Sequence, residues 1–529
     1  MKIYFQPNQA LWDPARYHYA AEQMMLTLFP GEKPEYPEEE PDINTGADWV
    51  VFSLAPGDKT ALLSAALERR GRRADGRCGL SMDDLRDTPE RVYHVIQHAL
   101  KMAFYRAGTT LLGGGLPWGA LTGVRPVKLP TRSMLAGATP RQAQKELEES
   151  YCVSPERAAL AVDCAQASLA VQRALAPGEV SLYLGIPFCP TRCAYCSFVS
   201  ADVGRTLKLV EPYLDGVFQE IDATARALGE AGLSIRSLYV GGGTPTTLSA
   251  EQMDRLLSRC EELLPLGGCT EYTVEAGRPD TITREKLEVL KAHGIGRISI
   301  NPQTLEDHVL EAIGRKHSAG DIPAAYELAR SVGFSCINMD LIAGLPRDSF
   351  KGFRRSLEGV LELKPENVTV HTLALKKGSR LMEDRRGSPV GERMSGETGD
   401  LSRRRESEGH GAYEDEAAQM LDFSREVLRQ WDYRPYYLYR QKYMSGSLEN
   451  VGWAVPGTES LYNIVMMEEL HTVVSIGGGG VTKLVNPRSG KIVRLPNPKY
   501  PHDYLAGLDK VLIQKREIPM FYQEMGAGR

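Results

Sequence analysis

The chain has 529 residues, too many for one ordinary core, so two or three domains are expected. With 42% hydrophobic and 25% charged residues it reads as a folded globular chain, and a net charge of −5 gives no reason to expect nucleic-acid binding. No apolar run approaches the ~18 residues of a membrane span, and MKIYFQPNQALWD lacks the basic and apolar regions of a signal peptide.

From the N-terminus, MKIYFQ and DWVVFSLA read as strands, and segments 14–28, 88–106 and 154–175 as helices with apolar residues at helical spacing. PEYPEEEPD (34–42) reads as a solvated linker and RRGRR (69–73) as a solvated loop. The glycines of LLGGGLPWGALTGVRPVKL (111–129) permit sharp turns, which suits an interdomain loop.

From residue 180 a regular alternation begins. SLYLGI (181–186), SLYVG (237–241), EYTVEA (271–276), RISIN (297–301), SCINMDLIAG (335–344) and NVTVHTLA (367–374) read as strands with helical stretches between them. Alternation of this kind implies parallel pairing through right-handed crossovers, hence a complete or partial α/β barrel. The polar segment 376–416 carries almost no large apolar residues and is expected to be mobile. The tail has a helix near 414–430 and strand candidates at 434–439 and 472–476. The expected division is an N-terminal α+β domain (1–176), a barrel (177–385), a charged linker (386–412) and a C-terminal capping domain (413–529).

In a parallel barrel the chemistry sits at the C-terminal ends of the strands. Those ends carry a cysteine loop, Gly241–Thr244, Glu275, Gln303, Asp340 and His371, spaced by the length of a βα unit. A lone charge among apolar strand residues costs several kcal/mol, so Glu275 and Asp340 must face partners or a polar cavity. The nine cysteines are odd in number and scattered, which argues against a disulfide framework and for a reducing cytoplasm. Cys189, Cys193 and Cys196 fall in YLGIPFCPTRCAYCSFVS with C-x₃-C-x₂-C spacing. Zinc usually takes four ligands from paired hooks, so three cysteines and a distant histidine remain one option; an iron–sulfur cluster with one open iron is the other.

The motifs Y-x-x-I-P-F-C-x₃-C-x-Y-C, GGGTP (241–245) and D-L-I-x-G-L-P (340–346) resemble those of radical S-adenosylmethionine enzymes. Within these the chain resembles the oxygen-independent coproporphyrinogen III dehydrogenase group, with its HemN, HemW and HemZ branches. The N-terminal extension, PWGALTGVRP and Y-R-Q-K-Y-M…E-N-V-G-W (439–453) look most like the HemZ branch. The resemblance implies a partial (βα)6-type barrel and a [4Fe–4S] cluster on the catalytic cysteines Cys189, Cys193 and Cys196. It implies S-adenosylmethionine held by Tyr183, Tyr195, Gly242, Gly243, Thr244, Glu275, Gln303, Arg315, Asp340 and Ala374. It further implies a tetrapyrrole substrate and a small electron donor such as flavodoxin or ferredoxin. The implied reaction turns two propionates of coproporphyrinogen III into vinyl groups through a 5′-deoxyadenosyl radical, with loss of carbon dioxide. Haem trafficking, or radical chemistry on another tetrapyrrole, are the alternatives. Arg125, Lys376 and Lys377 are available to pair with substrate carboxylates. Two positions depart from the HemN pattern: Phe198 stands for a further cysteine and Gly185 for a histidine. The haem motif H-N-x-x-Y-W of the chaperone branch is absent, as none of the ten histidines precedes an asparagine.

Overall fold

A computed structural model describes residues 1–7, 12–40, 46–196, 201–374, 416–441 and 448–527. The chain divides into two units. The first comprises 1–162 with a few residues from 416–418, 440–441 and 448; the second comprises 163–374, 419–439 and 449–527.

The first unit is built on a four-stranded sheet in the order β1 (Lys2–Phe5), β2 (Trp49–Ala55), β3 (Thr60–Arg69), β4 (Arg72–Ser81). β1 and β2 are parallel and the other pairs antiparallel. Burial alternates along β3, as expected of a sheet with one covered face. The helices His18–Leu28 and Pro89–Leu112 share its core, where Phe52 and Phe104 meet edge to face. RRGRR is the exposed tip of the β3–β4 hairpin, with Arg70 and Gly71 both at positive φ. Its flanking strands escape sequence reading because TALLSAALER is made of helix formers. PEYPEEEPD is not wholly a linker: the Glu35 carbonyl accepts a 2.7 Å bond from the Ile3 N–H beside β1. The segment 111–129 is likewise not all loop, since its first residues end one helix and Lys128 begins another, Lys128–Leu135.

The second unit carries an eleven-stranded sheet. Its centre is the expected parallel set: β5 (Glu179–Ile186), β8 (Ser234–Gly242), β9 (Glu271–Glu275), β10 (Arg297–Ser299), β11 (Cys336–Ala343) and β12 (Asn367–Thr372). A two-residue pair, β6 (Phe188–Cys189) and β7 (Ala201–Asp202), lies after β5. The crossover helices follow from local signals. Ser249 and Gln252 form a capping box at the start of Ala250–Leu263, and the helix Phe350–Glu362 buries Phe353, Leu357, Val360 and Leu361 while exposing Lys351, Arg354 and Arg355.

The tail extends both edges of this sheet. β13 (Arg434–Arg440) and β14 (Glu449–Ala454) continue beyond β12, with β14 antiparallel to it. β15 (Val473–Ile476) pairs parallel to β5 and leads into antiparallel β16 (Val481–Val485) and β17 (Ile492–Pro496). The result is a mixed α/β fold with a central parallel sheet, an open barrel, and added N- and C-terminal parts. The polar stretch 376–416 lies almost wholly outside the described residues, and the helix expected near its end is Glu416–Gln430.

Candidate active site

β5 feeds directly into the cysteine loop. Cys193 is buried, Cys189 and Cys196 are half-buried, and none of the cysteines is in a disulfide. The GGGTP loop after β8 grips the start of this loop. The Gly243 N–H donates to the Ile186 carbonyl (2.8 Å) and the Thr244 N–H to the Phe188 carbonyl (2.7 Å). Thr244 Oγ1 lies 3.4 Å from Cys189 Sγ. Such an approach requires glycine: a Cβ at Gly243 would stand 2.5 Å from the Phe188 carbonyl oxygen.

The far end of the loop docks on the segment after β10. The Ala194 N–H donates to the Ile313 carbonyl (2.9 Å), and the Cys196 N–H to the Cys193 carbonyl (3.2 Å). Arg315, itself buried, donates from Nη2 to Tyr195 Oη (3.3 Å) and from Nη1 to the Asn301 carbonyl (2.6 Å). Burial works against its charge, but Tyr195 and Cys193 beside it raise its pKa above the ordinary value.

Deeper in the sheet, Glu275 accepts from Tyr239 Oη (2.6 Å) and from the Gly242 N–H (3.3 Å). Burial, with help from nearby Asp340, pushes its pKa up to about 7. Burial also opposes the Asp340 charge, yet His371, Asn338 and Thr369 hold that carboxyl below its usual range. Asn338 Nδ2 donates to it at 2.7 Å, and His371 Nε2 is 3.7 Å away. Gln303 adopts φ +69° and pairs with β11 through both main-chain groups, its N–H to the Asp340 carbonyl and its carbonyl from the Ile342 N–H. Gln303 Oε1 and Asn301 Oδ1 are buried acceptors that no protein group satisfies.

The structure thus brings together Cys189 with Thr244, Cys193 and Tyr195 with Arg315, Tyr183 with Gly242 and Glu275, and Gln303 with Asp340. Tyr183 joins its group through proximity: a Cβ on Gly242 would stand 3.3 Å from Tyr183 Oη. Ala374, two residues beyond β12, offers only backbone and a methyl group. Arg125 belongs to the first unit, and Phe198, Lys376 and Lys377 lie outside the described residues. Two aromatic residues escaped the sequence reading. Tyr239 stacks on Tyr462 with ring centroids 4.5 Å apart, and Tyr183 lies 6.4 Å from each. Tyr239 had a signal, since Y-x-G recurs in β5 and β8, but Tyr462 in the helix Leu461–Glu468 had none.

The residues fit the two groups that the sequence motifs imply. Among the described residues no three His, Cys, Asp or Glu side chains converge on a single-ion position. Three cysteines spaced along one loop suit a group that offers a separate iron to each. Beside them Asn301 Oδ1 and Gln303 Oε1 are buried acceptors in want of donors, which amino and hydroxyl groups of a nucleoside-bearing ligand supply. Among the described residues no helix is long and apolar enough to cross a membrane.

Residues 183–358 match the radical SAM superfamily. Over 473 residues the chain is 37% identical to the oxygen-independent coproporphyrinogen-III oxidase-like protein HemZ of Bacillus subtilis, covering 89% of each chain. It is 38% identical over 197 residues to the heme chaperone HemW of the same organism, covering 37% of this chain and 51% of that one. Coproporphyrinogen III oxidase (HemN) from Escherichia coli, a radical SAM enzyme, overlays 65% of this chain and 72% of its own at 23% identity and a TM-score of 0.47, too loosely to bear on the chemistry. The chain belongs to the HemZ family of radical SAM proteins, a family that works with a [4Fe–4S] cluster and S-adenosylmethionine.

Proposed function

We propose that the protein is a radical enzyme of tetrapyrrole metabolism that oxidatively decarboxylates the propionates of coproporphyrinogen III to vinyl groups. The observation that carries this reading is the rim itself: a three-cysteine loop, a glycine loop and the unmatched acceptors Asn301 Oδ1 and Gln303 Oε1 gathered at the ends of parallel strands. The likeness to the HemZ protein over most of both chains supports the substrate class, as does the missing chaperone motif.

In this reading Cys189, Cys193 and Cys196 hold the cluster, and Arg315 braces Tyr195 within the cysteine loop. Tyr183, Tyr195, Gly242, Gly243, Thr244, Glu275, Gln303, Arg315, Asp340 and Ala374 receive S-adenosylmethionine. Together these groups supply a carbon radical that removes hydrogen from an unactivated C–H bond. The chain contributes the rest. Gly243 and Thr244 fix the loop, Glu275 and Asp340 accept from the ligand, and the Tyr183–Tyr239–Tyr462 stack keeps water from the floor of the site. Haem trafficking is the second reading, favoured by the partial likeness to HemW.

The test is anaerobic reconstitution with iron and sulfide, then reductant, S-adenosylmethionine and coproporphyrinogen III. The expected products are protoporphyrinogen and 5′-deoxyadenosine. Cofactor cleavage without a vinyl product overturns the decarboxylase reading, and tight haem binding without turnover favours trafficking.

A further inference from the structure

Between Cys189 and Cys193 the loop must hold its path across Pro190, Thr191 and Arg192, and one buried side chain grips its middle. Arg278, in the segment after β9, is only 3% exposed. Its Nε and Nη2 donate to the two oxygens of Asp280, each at 2.9 Å. Its Nη1 donates to the Thr191 hydroxyl (2.8 Å) and to the Thr191 carbonyl (3.1 Å). The same hydroxyl then donates to the Gly314 carbonyl at 3.4 Å. Every donor position of this contact is set by the planar guanidinium fork, which an ammonium cannot reproduce.

The segment that carries Arg278 also holds the chain just past the glycine loop. Thr281 Oγ1 donates to the Arg278 carbonyl (2.8 Å) and lies 2.6 Å from Thr246 Oγ1, while Lys286 Nζ donates to the Thr246 carbonyl (2.6 Å). The cysteine loop and Thr246, the residue that follows GGGTP, are therefore both tied to one short stretch, 278–281.

We propose that Arg278, braced by Asp280, is a positioning residue that clasps the C-x₃-C loop in the conformation that receives the cluster. This rests on the cluster reading above and names a residue outside the thiols and the cofactor contacts. Its bidentate bond to Asp280 fixes the guanidinium, and the remaining nitrogen fixes Thr191, so the loop is shaped before iron arrives. A loop held in this way retains its iron because a released thiol stays within reach of the same iron.

The experiment compares full-length wild type, Arg278→Gln, Arg278→Lys, Asp280→Asn and Arg330→Gln after anaerobic reconstitution. Arg330→Gln is the control: it breaks the Arg330–Glu366 pair (2.8 Å) in the same unit but touches neither loop. Cluster absorbance and its decay under an iron chelator are read together with thermal melting. Arg278→Gln is expected to lose its cluster at least ten-fold faster than wild type, Asp280→Asn several-fold faster, and Arg278→Lys to fall between. Arg330→Gln is expected to melt earlier with an unchanged cluster lifetime. A wild-type lifetime in Arg278→Gln overturns the clasp, and so does a loss in Arg330→Gln equal to that in Arg278→Gln. A wild type that takes up no cluster instead overturns the cluster reading, a separate outcome visible in the same experiment.

Discussion

The chain from Ile186 to Cys196 and the chain from Leu461 to Lys515 lie in the same unit and are held by different kinds of contact. The first is held by carbonyls, N–H groups and hydroxyls of loops that follow neighbouring strands, and by the Arg278 guanidinium at Thr191. The second is held by two carboxylates set in the body of the fold. Glu271 on β9 accepts from the N–H groups of Leu461 (2.7 Å) and Tyr462 (2.9 Å), gripping the N-terminus of that helix where its free donors point. Glu220, wholly buried in the helix Val210–Glu230, accepts from the Gly477 N–H, Asn497 Nδ2 and Tyr504 Oη and pairs with Lys515 Nζ at 2.8 Å. Damage in the rim should therefore be felt by the ligand, and damage at these carboxylates by the fold.

The largest effect is expected at Glu220. Glu220→Ala leaves the Lys515 cation buried without its carboxylate, together with three unsatisfied donors, at a cost of about 3–5 kcal/mol. Chemical denaturation should register that loss, whereas Cys193→Ala in the rim should change the midpoint little. Equal losses in the two variants would erase the distinction.

A smaller and oppositely signed effect is expected at Glu275. Its folded pKa of about 7 lies above the ordinary 4.5, so between these values the folded state binds more protons than the unfolded. Stability therefore falls as pH rises through that window and is level above it. Glu275→Gln should remove this slope, gaining on the order of 1–2 kcal/mol over wild type at pH 8 relative to pH 4, a figure reduced because Glu275 keeps some solvent contact. It should at the same time weaken S-adenosylmethionine binding measured by calorimetry. A denaturation series whose slope survives the substitution would show that the carboxyl titrates normally.

The same contrast explains what the sequence disclosed. Six parallel strands and the residues at their ends were legible because each βα unit carries its own signal: apolar runs, a capped helix, and a polar residue where the strand stops. The tail was legible only in part: the helix Glu416–Gln430 and strands β13 and β15 were expected, but β14 and the helix Leu461–Glu468 owe their places to distant partners. Tyr462 meets Tyr239 across more than two hundred residues, and no local pattern announces that stack. Gly185 falls between the two cases. Its departure from the family histidine was visible, but the reason was not: a Cβ there would stand 2.7 Å from the Gly478 carbonyl oxygen in the β15–β16 loop.

The central claim is that the three thiols hold a cluster whose open iron takes S-adenosylmethionine. The low-temperature electron paramagnetic resonance spectrum of the reduced, anaerobically reconstituted protein, recorded with and without S-adenosylmethionine, tests it most directly. A cluster signal that changes on adding S-adenosylmethionine and vanishes in Cys193→Ala is the predicted result. A signal indifferent to S-adenosylmethionine, or one that survives Cys193→Ala, would contradict it.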